Sequence, residues 1–221
     1  MTRVLVLRPE PGASLTVQRA GELGLDAFAV PLFQIEPVAW TAPDPGEFDG
    51  LLLTSANAVR HAGEQIKALT SLPVYAVGEA TAAAAQAAGF EIAIAGAGGV
   101  DRLLAVLPPG LRLLHLCGAY RRMPTDPIQE ITPLVVQAAK PIENPDLSAA
   151  KDVVAIIHSP RAGERFAELV SERGSILIAA ISEAAADAVG NGWRAVEVAK
   201  DLNDRGLLAL AARLCDKTDA E

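Results

Sequence analysis

Most of what this chain can fold into is constrained by its saying the same thing twice. Thr54-Ser55, closing "FDGLLLTSANAV", and His158-Ser159, inside "AIIHSPRAGERF", lie 104 residues apart. The stretches "AVGEATAAAA" (76–85) and "AISEAAADAV" (180–189) keep that offset of 104, as do Leu103-Leu104-Ala105 and Leu207-Leu208-Ala209. A shift held without a gap across three separated segments marks a duplicated unit. Each copy follows one grammar. A leucine-rich or β-branched run (51–53; 153–157) reads as a strand buried on both faces, and the serine after it N-caps an alanine-rich helix. A second strand ("PVYAV", "ILIAAI") meets a small-residue turn and a second helix. A third strand ("FEIAIAG", "RAVEVAK") precedes a third helix, starting near Val100 and near Arg205. Strands alternating with helices predict parallel sheets covered on both faces, so the fold class is α/β with two doubly wound domains.

Two further strand-plus-helix units fall outside the duplication, one at the N-terminus ("RVLVLRPEPGASLTVQRAGELGLDAFAVP") and one spanning 111–136. The first completes a domain from its front and the second from its back, so the copies are circularly permuted. The simplest assembly is a discontinuous domain from 1–34 plus 146–221, with 41–136 inserted as the other. The Pro-bearing, extended stretches 35–40 and 137–145 then form a two-stranded connection.

With 221 residues, 51% of them hydrophobic and 21% charged, there is material for one large or two small domains. No apolar run approaches the roughly 20 residues needed to cross a bilayer, and the greasy stretch near Met1 is too short for a signal peptide. The expectation is a cytoplasmic protein. Net charge of −8 and the lack of basic runs with interleaved aromatics argue against nucleic acid. Cys117 and Cys215 have no paired spacing, which argues against a disulfide framework or a zinc site. No apolar face is left over once both sheets are covered, so a monomer is expected.

In open parallel sheets ligands gather at the carboxyl ends of strands, where helix N-termini present free N–H groups. The repeated turns fall at that edge, and two edges facing one another across a hinge would bind an anionic molecule. The donors available are Arg8, Ser55, Asn57, Thr81, Arg121, Ser159 and Arg161. Tyr120-Arg121-Arg122, beyond the strand end at Gly118, has two readings, a carboxylate grip and an exposed loop. Each serine equally reads as an ordinary N-cap and each arginine as a solvated side chain. "GAGGVD" (96–101) lacks P-loop and GxGxxG spacing and reads as a plain turn. His61, His115 and His158 lack metal-ligand spacing, and His115 in "LLHLC" reads as a satisfied buried histidine. Glu79 and Glu183 sit at matching helix starts, where a carboxylate favours the helix dipole.

Taken together, "VLVLRPEPGA", "FDGLLLTSANAV", "PVYAVGEATAAAAQAAGF", "AIIHSPRAGERF" and "GLLALAARL" resemble uroporphyrinogen-III synthases over nearly the whole chain. The resemblance implies two α/β domains with the linear tetrapyrrole hydroxymethylbilane bound between them. The substrate would close to uroporphyrinogen III with the D ring reversed, and neither metal nor organic cofactor would be needed. It also implies transient contact with hydroxymethylbilane synthase. The family pattern carries over to Thr54 and Ser55, to Gly78 and Thr81, and to Ser159, with Thr81 as the catalytic candidate. At the second small-residue turn the chain departs, reading Ser182, Ala184 and Ala185 where Gly and Thr are common. A tyrosine common on the return connection is replaced by Ala138-Ala139-Lys140, which leaves Lys140 or a bound water as substitute donor. Two other classes stay open, a non-catalytic binding protein for an acidic metabolite and an interaction module that stabilises a neighbouring enzyme.

Overall fold

The computed structural model describes residues 2–219 except 97 and 122, with side chains as far as 217. Along the chain come β1 (Arg3–Val6), α1 (Gly12–Glu22), β2 (Ala27–Ala29), β3 (Phe33–Pro37) and β4 (Gly50–Leu53). Next are α2 (Ala56–His61), β5 (Val74–Val77), α3 (Glu79–Ala87), β6 (Ile92–Gly96) and α4 (Val100–Leu104). β7 (Arg112–Gly118), β8 (Glu130–Pro141), β9 (Val153–Ile157), α5 (Pro160–Leu169) and β10 (Leu177–Ala180) follow, then α6 (Glu183–Val189), β11 (Ala195–Val198) and α7 (Asp204–Asp219). The chain divides into two compact units, Met1–Gln34 with Pro141–Glu221, and Ile35–Lys140.

The first unit holds a five-stranded sheet in the order β11-β10-β9-β1-β2. Every pair in it is parallel, and β1 is stitched to β9 from Arg3↔Val153 to Val6↔Ile156. N-terminal and C-terminal strands thus share one sheet, the discontinuous α/β arrangement expected from the permuted repeat. Val4 to Leu7 are fully buried, as strands covered on both faces must be. Val4, Val6, Val154 and Ile156 pack with Ala13 and Ala20 of α1 and with Leu207, Leu208, Ala211 and Leu214 of α7. In α5 Phe166 is fully buried and stacks on Trp193 at 5.2 Å. Gly163 lets α6 come close, since a Cβ there would sit 2.9 Å from Cγ1 of Val189.

The second unit holds a six-stranded sheet, β3-β8-β7-β4-β5-β6. β4 is flanked in parallel by β7 and β5, and its side chains alternate: Leu51 and Leu53 join a core with α2 and α3, whereas Leu52 joins Leu103, Leu104 and Leu107 around α4. Strands β6-β5-β4-β7-β8 reproduce the order β11-β10-β9-β1-β2, so the duplication is visible in topology.

One expectation fails. The segment 111–136 contains β7 and β8 but no helix among the described residues between them. Pro124 and Pro127 each remove an N–H, and Asp126 between them has φ of 45°, outside the helical region.

Candidate functional site

In the second unit a cavity of about 400 Å³ opens at the carboxyl ends of β4 and β7. Thr54 and Ser55 follow β4, Gly118 ends β7, Tyr120 and Arg121 lie just beyond, and Gln137 of β8 closes the side. Gly98 and Gly99, with φ near +94° and +100°, turn the chain from β6 into α4 against the same space. Ser55 is the N-cap of α2, its Oγ accepting from the Asn57 N–H at 3.2 Å. That bond occupies the oxygen and leaves the hydroxyl proton for another acceptor. Gly118 has no Cβ because one would collide with the Gln137 amide at 2.5 Å, so the floor is close-packed. Asp101 also borders the cavity, and its carboxylate accepts from the Thr125 N–H at 2.8 Å.

The floor holds a histidine that composition alone would leave unremarked. β4 and β7 are in register at Leu52↔His115, and Thr54 is two residues beyond Leu52 on the same face. Thr54 Oγ1 and His115 Nε2 therefore meet, at 3.0 Å. His115 is fully buried, and its Nδ1 has no hydrogen-bond partner. Burial, helped by the Arg121 charge, pushes its pKa down to about 4, so the ring is neutral at physiological pH.

The matching corner of the first unit is built differently. Arg8 lies beyond Val6 and His158 beyond Ile156, both on the face that carries α1 and α7. Asp204, at the first turn of α7, gathers them. Its carboxylate accepts from Arg19 at 2.8 Å, Thr16 at 2.9 Å, His158 Nε2 at 3.0 Å and Arg8 at 3.4 Å. Burial pushes Asp204 upward, but the hydrogen bonds from His158, Arg19 and Thr16 outweigh it and hold the carboxyl well below the usual range. Burial lowers His158 despite the Asp204 bond, so its ring is neutral and Nε2–H donates. Gly12 makes room for this cluster, since a Cβ there would lie 2.6 Å from Arg8 Nε.

Comparison with known proteins decides the family. A family model described as Uroporphyrinogen-III synthase HemD matches residues 14–209. The chain belongs to that family. Among solved structures, uroporphyrinogen-III synthetase from Helicobacter pylori 26695 is 19% identical with a TM-score of 0.64, covering 97% of this chain and 100% of that one. A mutant uroporphyrinogen III synthase from the extremely thermophilic bacterium Thermus thermophilus is 17% identical with a TM-score of 0.50, over 98% and 100% of the two chains. At such identities these likenesses speak to the fold. No curated protein matches by sequence.

As a member of the uroporphyrinogen-III synthase family, the chain is an enzyme of tetrapyrrole biosynthesis, a hydro-lyase. Its expected site residues are distributed unevenly. Thr54, Ser55, Gly118 and Arg121 converge on one cavity. Gly78, with φ of +89°, caps α3, and Thr81 is buried in that helix's first turn, 5% exposed; neither borders the cavity. Asn57 accepts from Arg60 at 3.3 Å, and Lys140 pairs with Glu36. In the first unit, Ser159 and Ser182 accept from the backbone N–H groups of Ala162 and Ala185 as N-caps, and Arg161 lies 4.3 Å over the Phe33 ring. Arg122 falls outside the described residues. Sequence reasoning missed Thr16, Arg19 and Asp204, and treated His115 as satisfied although only one of its nitrogens is. The repeat points to one of these residues: Asp204 stands at the offset partner of Val100, as His158 does at that of Thr54. Among the described residues no helix is long and apolar enough to cross a membrane.

Proposed function

We propose that this chain closes hydroxymethylbilane to uroporphyrinogen III, and that the Thr54-Ser55 cavity holds carboxylates of the bilane. Membership of the synthase family across residues 14–209 carries this reading. The cavity supports it chemically. Three hydroxyls (Thr54, Ser55 and Tyr120) and the Arg121 guanidinium border one space, with the Asp101 carboxylate tied to the Thr125 N–H, and hydrogen bonds from such donors suit acetate and propionate side chains. In the reaction, the hydroxymethyl C–O bond breaks and oxygen leaves as water after taking a proton, giving an azafulvene cation. The substituted carbon of ring D attacks that carbon and forms a spiro intermediate. One bond of the spiro centre then breaks, the released carbon bonds to the other side of ring D, and the ring loses a proton. The net change is loss of water with ring D reversed.

The protein's contribution is mainly geometric, because the bilane also closes unaided to the symmetric type I ring. Holding ring D near the spiro geometry supplies the selection without a strong acid or base. Lys140 is paired with Glu36, which weakens it as a replacement for the missing tyrosine, whereas the Tyr120 phenol stands at the cavity itself. The test is to supply freshly generated hydroxymethylbilane, oxidise the products and separate the uroporphyrins. Predominantly type III is expected. Type I alone, at the rate seen without protein, would overturn the reading.

A further inference from the structure

We propose that His115 is a positioning residue whose Nε2–H donates to Thr54 Oγ1, turning the Thr54 hydroxyl proton toward the cavity as a fixed donor to a substrate carboxylate. The proposal rests on reading the cavity as the bilane's carboxylate site. A neutral imidazole has one N–H and one bare nitrogen, and the Thr54 hydroxyl has one proton to give. Two arrangements satisfy the 3.0 Å contact between Thr54 and His115. In the first, Nδ1 carries the proton and Nε2 accepts from Thr54. That would bury an N–H with nothing to receive it, because Nδ1 has no partner and the residue is fully buried. It would also consume the threonine's proton, so the cavity would meet only lone pairs. In the second, Nε2–H donates to Thr54 and Nδ1 is left as a bare acceptor. An orphaned buried donor is the rarer of the two defects in proteins, an orphaned acceptor the better tolerated. The second arrangement therefore prevails, and it frees the Thr54 proton.

The same molecule holds a second histidine whose Nε2 faces an acceptor. His158, the offset partner of Thr54, donates from Nε2 to Asp204, a carboxylate that only accepts. His115 differs in that its acceptor is a hydroxyl, which passes a donor onward instead of ending the chain. The effect is to set the sign of the cavity floor. With Arg121 beside it, a threonine locked as donor favours an anion, whereas a freely rotating hydroxyl suits either sign.

The first readout needs no substrate. With ¹⁵N-labelled histidine, the nitrogen shifts at neutral pH should show His115 protonated at Nε2 alone, assigned by loss of its signals in His115→Phe. Protonation at Nδ1, or at both nitrogens, would overturn the proposal. The second readout is kinetic. His115→Phe should raise the KM for hydroxymethylbilane about ten-fold, the effect of losing one oriented bond to a charged group, with kcat within about two-fold. His115→Gln, whose amide N–H falls near Nε2, should restore most of that loss. In a Thr54→Val background, His115→Phe should change KM no further, and additive effects would refute action through Thr54. A wild-type protein that formed only type I ring would refute the cyclase reading, while the tautomer would still be decided by its nitrogen shifts.

Discussion

Asp204→Asn should strip the first unit of its most connected carboxylate while keeping the side chain's shape. The carboxylate accepts from four donors between 2.8 and 3.4 Å, and its side chain is 14% exposed. Arg19 is half exposed and Arg8 distant, so their ion pairs contribute little. Thr16 is fully buried and the His158 side chain is 10% exposed. Hydrogen bonds from such groups to a charge contribute about 1.5–3 kcal/mol each, and an asparagine oxygen recovers part. The expected loss is about 2–4 kcal/mol at pH 7, measured by chemical denaturation with Trp193 as reporter in a Trp40→Phe background. The pH dependence is signed. Asp204's folded pKa lies below its unfolded value of about 3.9, so its contribution is complete above that pH and is lost as pH falls further. Removing Asp204 also removes the bond that partly raises His158, so the variant loses additional stability as pH falls through about 6.5. The gap between wild type and variant therefore widens slightly below about pH 6.5 and narrows below about pH 4. A gap under about 0.5 kcal/mol at pH 7 would refute the network and leave a set of solvated surface pairs.

Three further outcomes test other parts of the molecule. Phe166→Ala removes a fully buried ring stacked on Trp193 and should cost about 3–5 kcal/mol in the same denaturation assay. Gly163→Val forces a branched side chain toward Val189 and the Ala185 carbonyl, 2.9 and 3.1 Å from the first added carbon, and should cost about 1–3 kcal/mol by overpacking α5 against α6. His115 is held neutral with a pKa of about 4 against about 6.5 unfolded, so its contribution is present above about pH 6.5 and fades as pH falls to about 4. That window amounts to about 3 kcal/mol, and His115→Phe should flatten it when unfolding is followed through Trp40; an unchanged slope would place the proton uptake elsewhere.

The architecture was legible because it depends on repeated local patterns. Leu51-Leu52-Leu53 and Val153 to Ile157 are apolar on both faces, which suits a covered parallel strand, and the serines after them became N-caps by hydrogen bonds of 3.2 Å. The permuted topology followed from counting which strands lacked a duplicate. The helix expected between β7 and β8 failed because one copy's grammar was imposed on a segment whose prolines forbid it. At the site, Thr54 and Ser55 were legible from their place at a strand end. His115 and Asp204 were not, because their partners lie 61 and 46 residues away in sequence and meet only through strand register and the packing of α7. Chain proximity carries no signal for such pairs, and the offset of 104 marks only His158 and Asp204, as the counterparts of Thr54 and Val100.

The two copies diverge at the carboxyl ends of their strands. In the first unit α1 supplies Thr16 and Arg19, α7 supplies Asp204, and these fill the space beyond β1 and β9 with polar groups bonded to one another. In the second unit no helix corresponds to α1 among the described residues, Val100 occupies the position matching Asp204, and a cavity of about 400 Å³ takes the network's place. A carboxylate at Asp204 neutralises the cations around it, whereas the cavity's own carboxylate, Asp101, accepts from the Thr125 N–H. A valine at 100 adds no such acceptor, and Arg121 and Thr54 border the cavity. On the proposed reading, two copies of one frame therefore serve different ends: a network of mutually bonded polar groups stabilises the first unit, and in the second a cavity presents donors to a carboxylate.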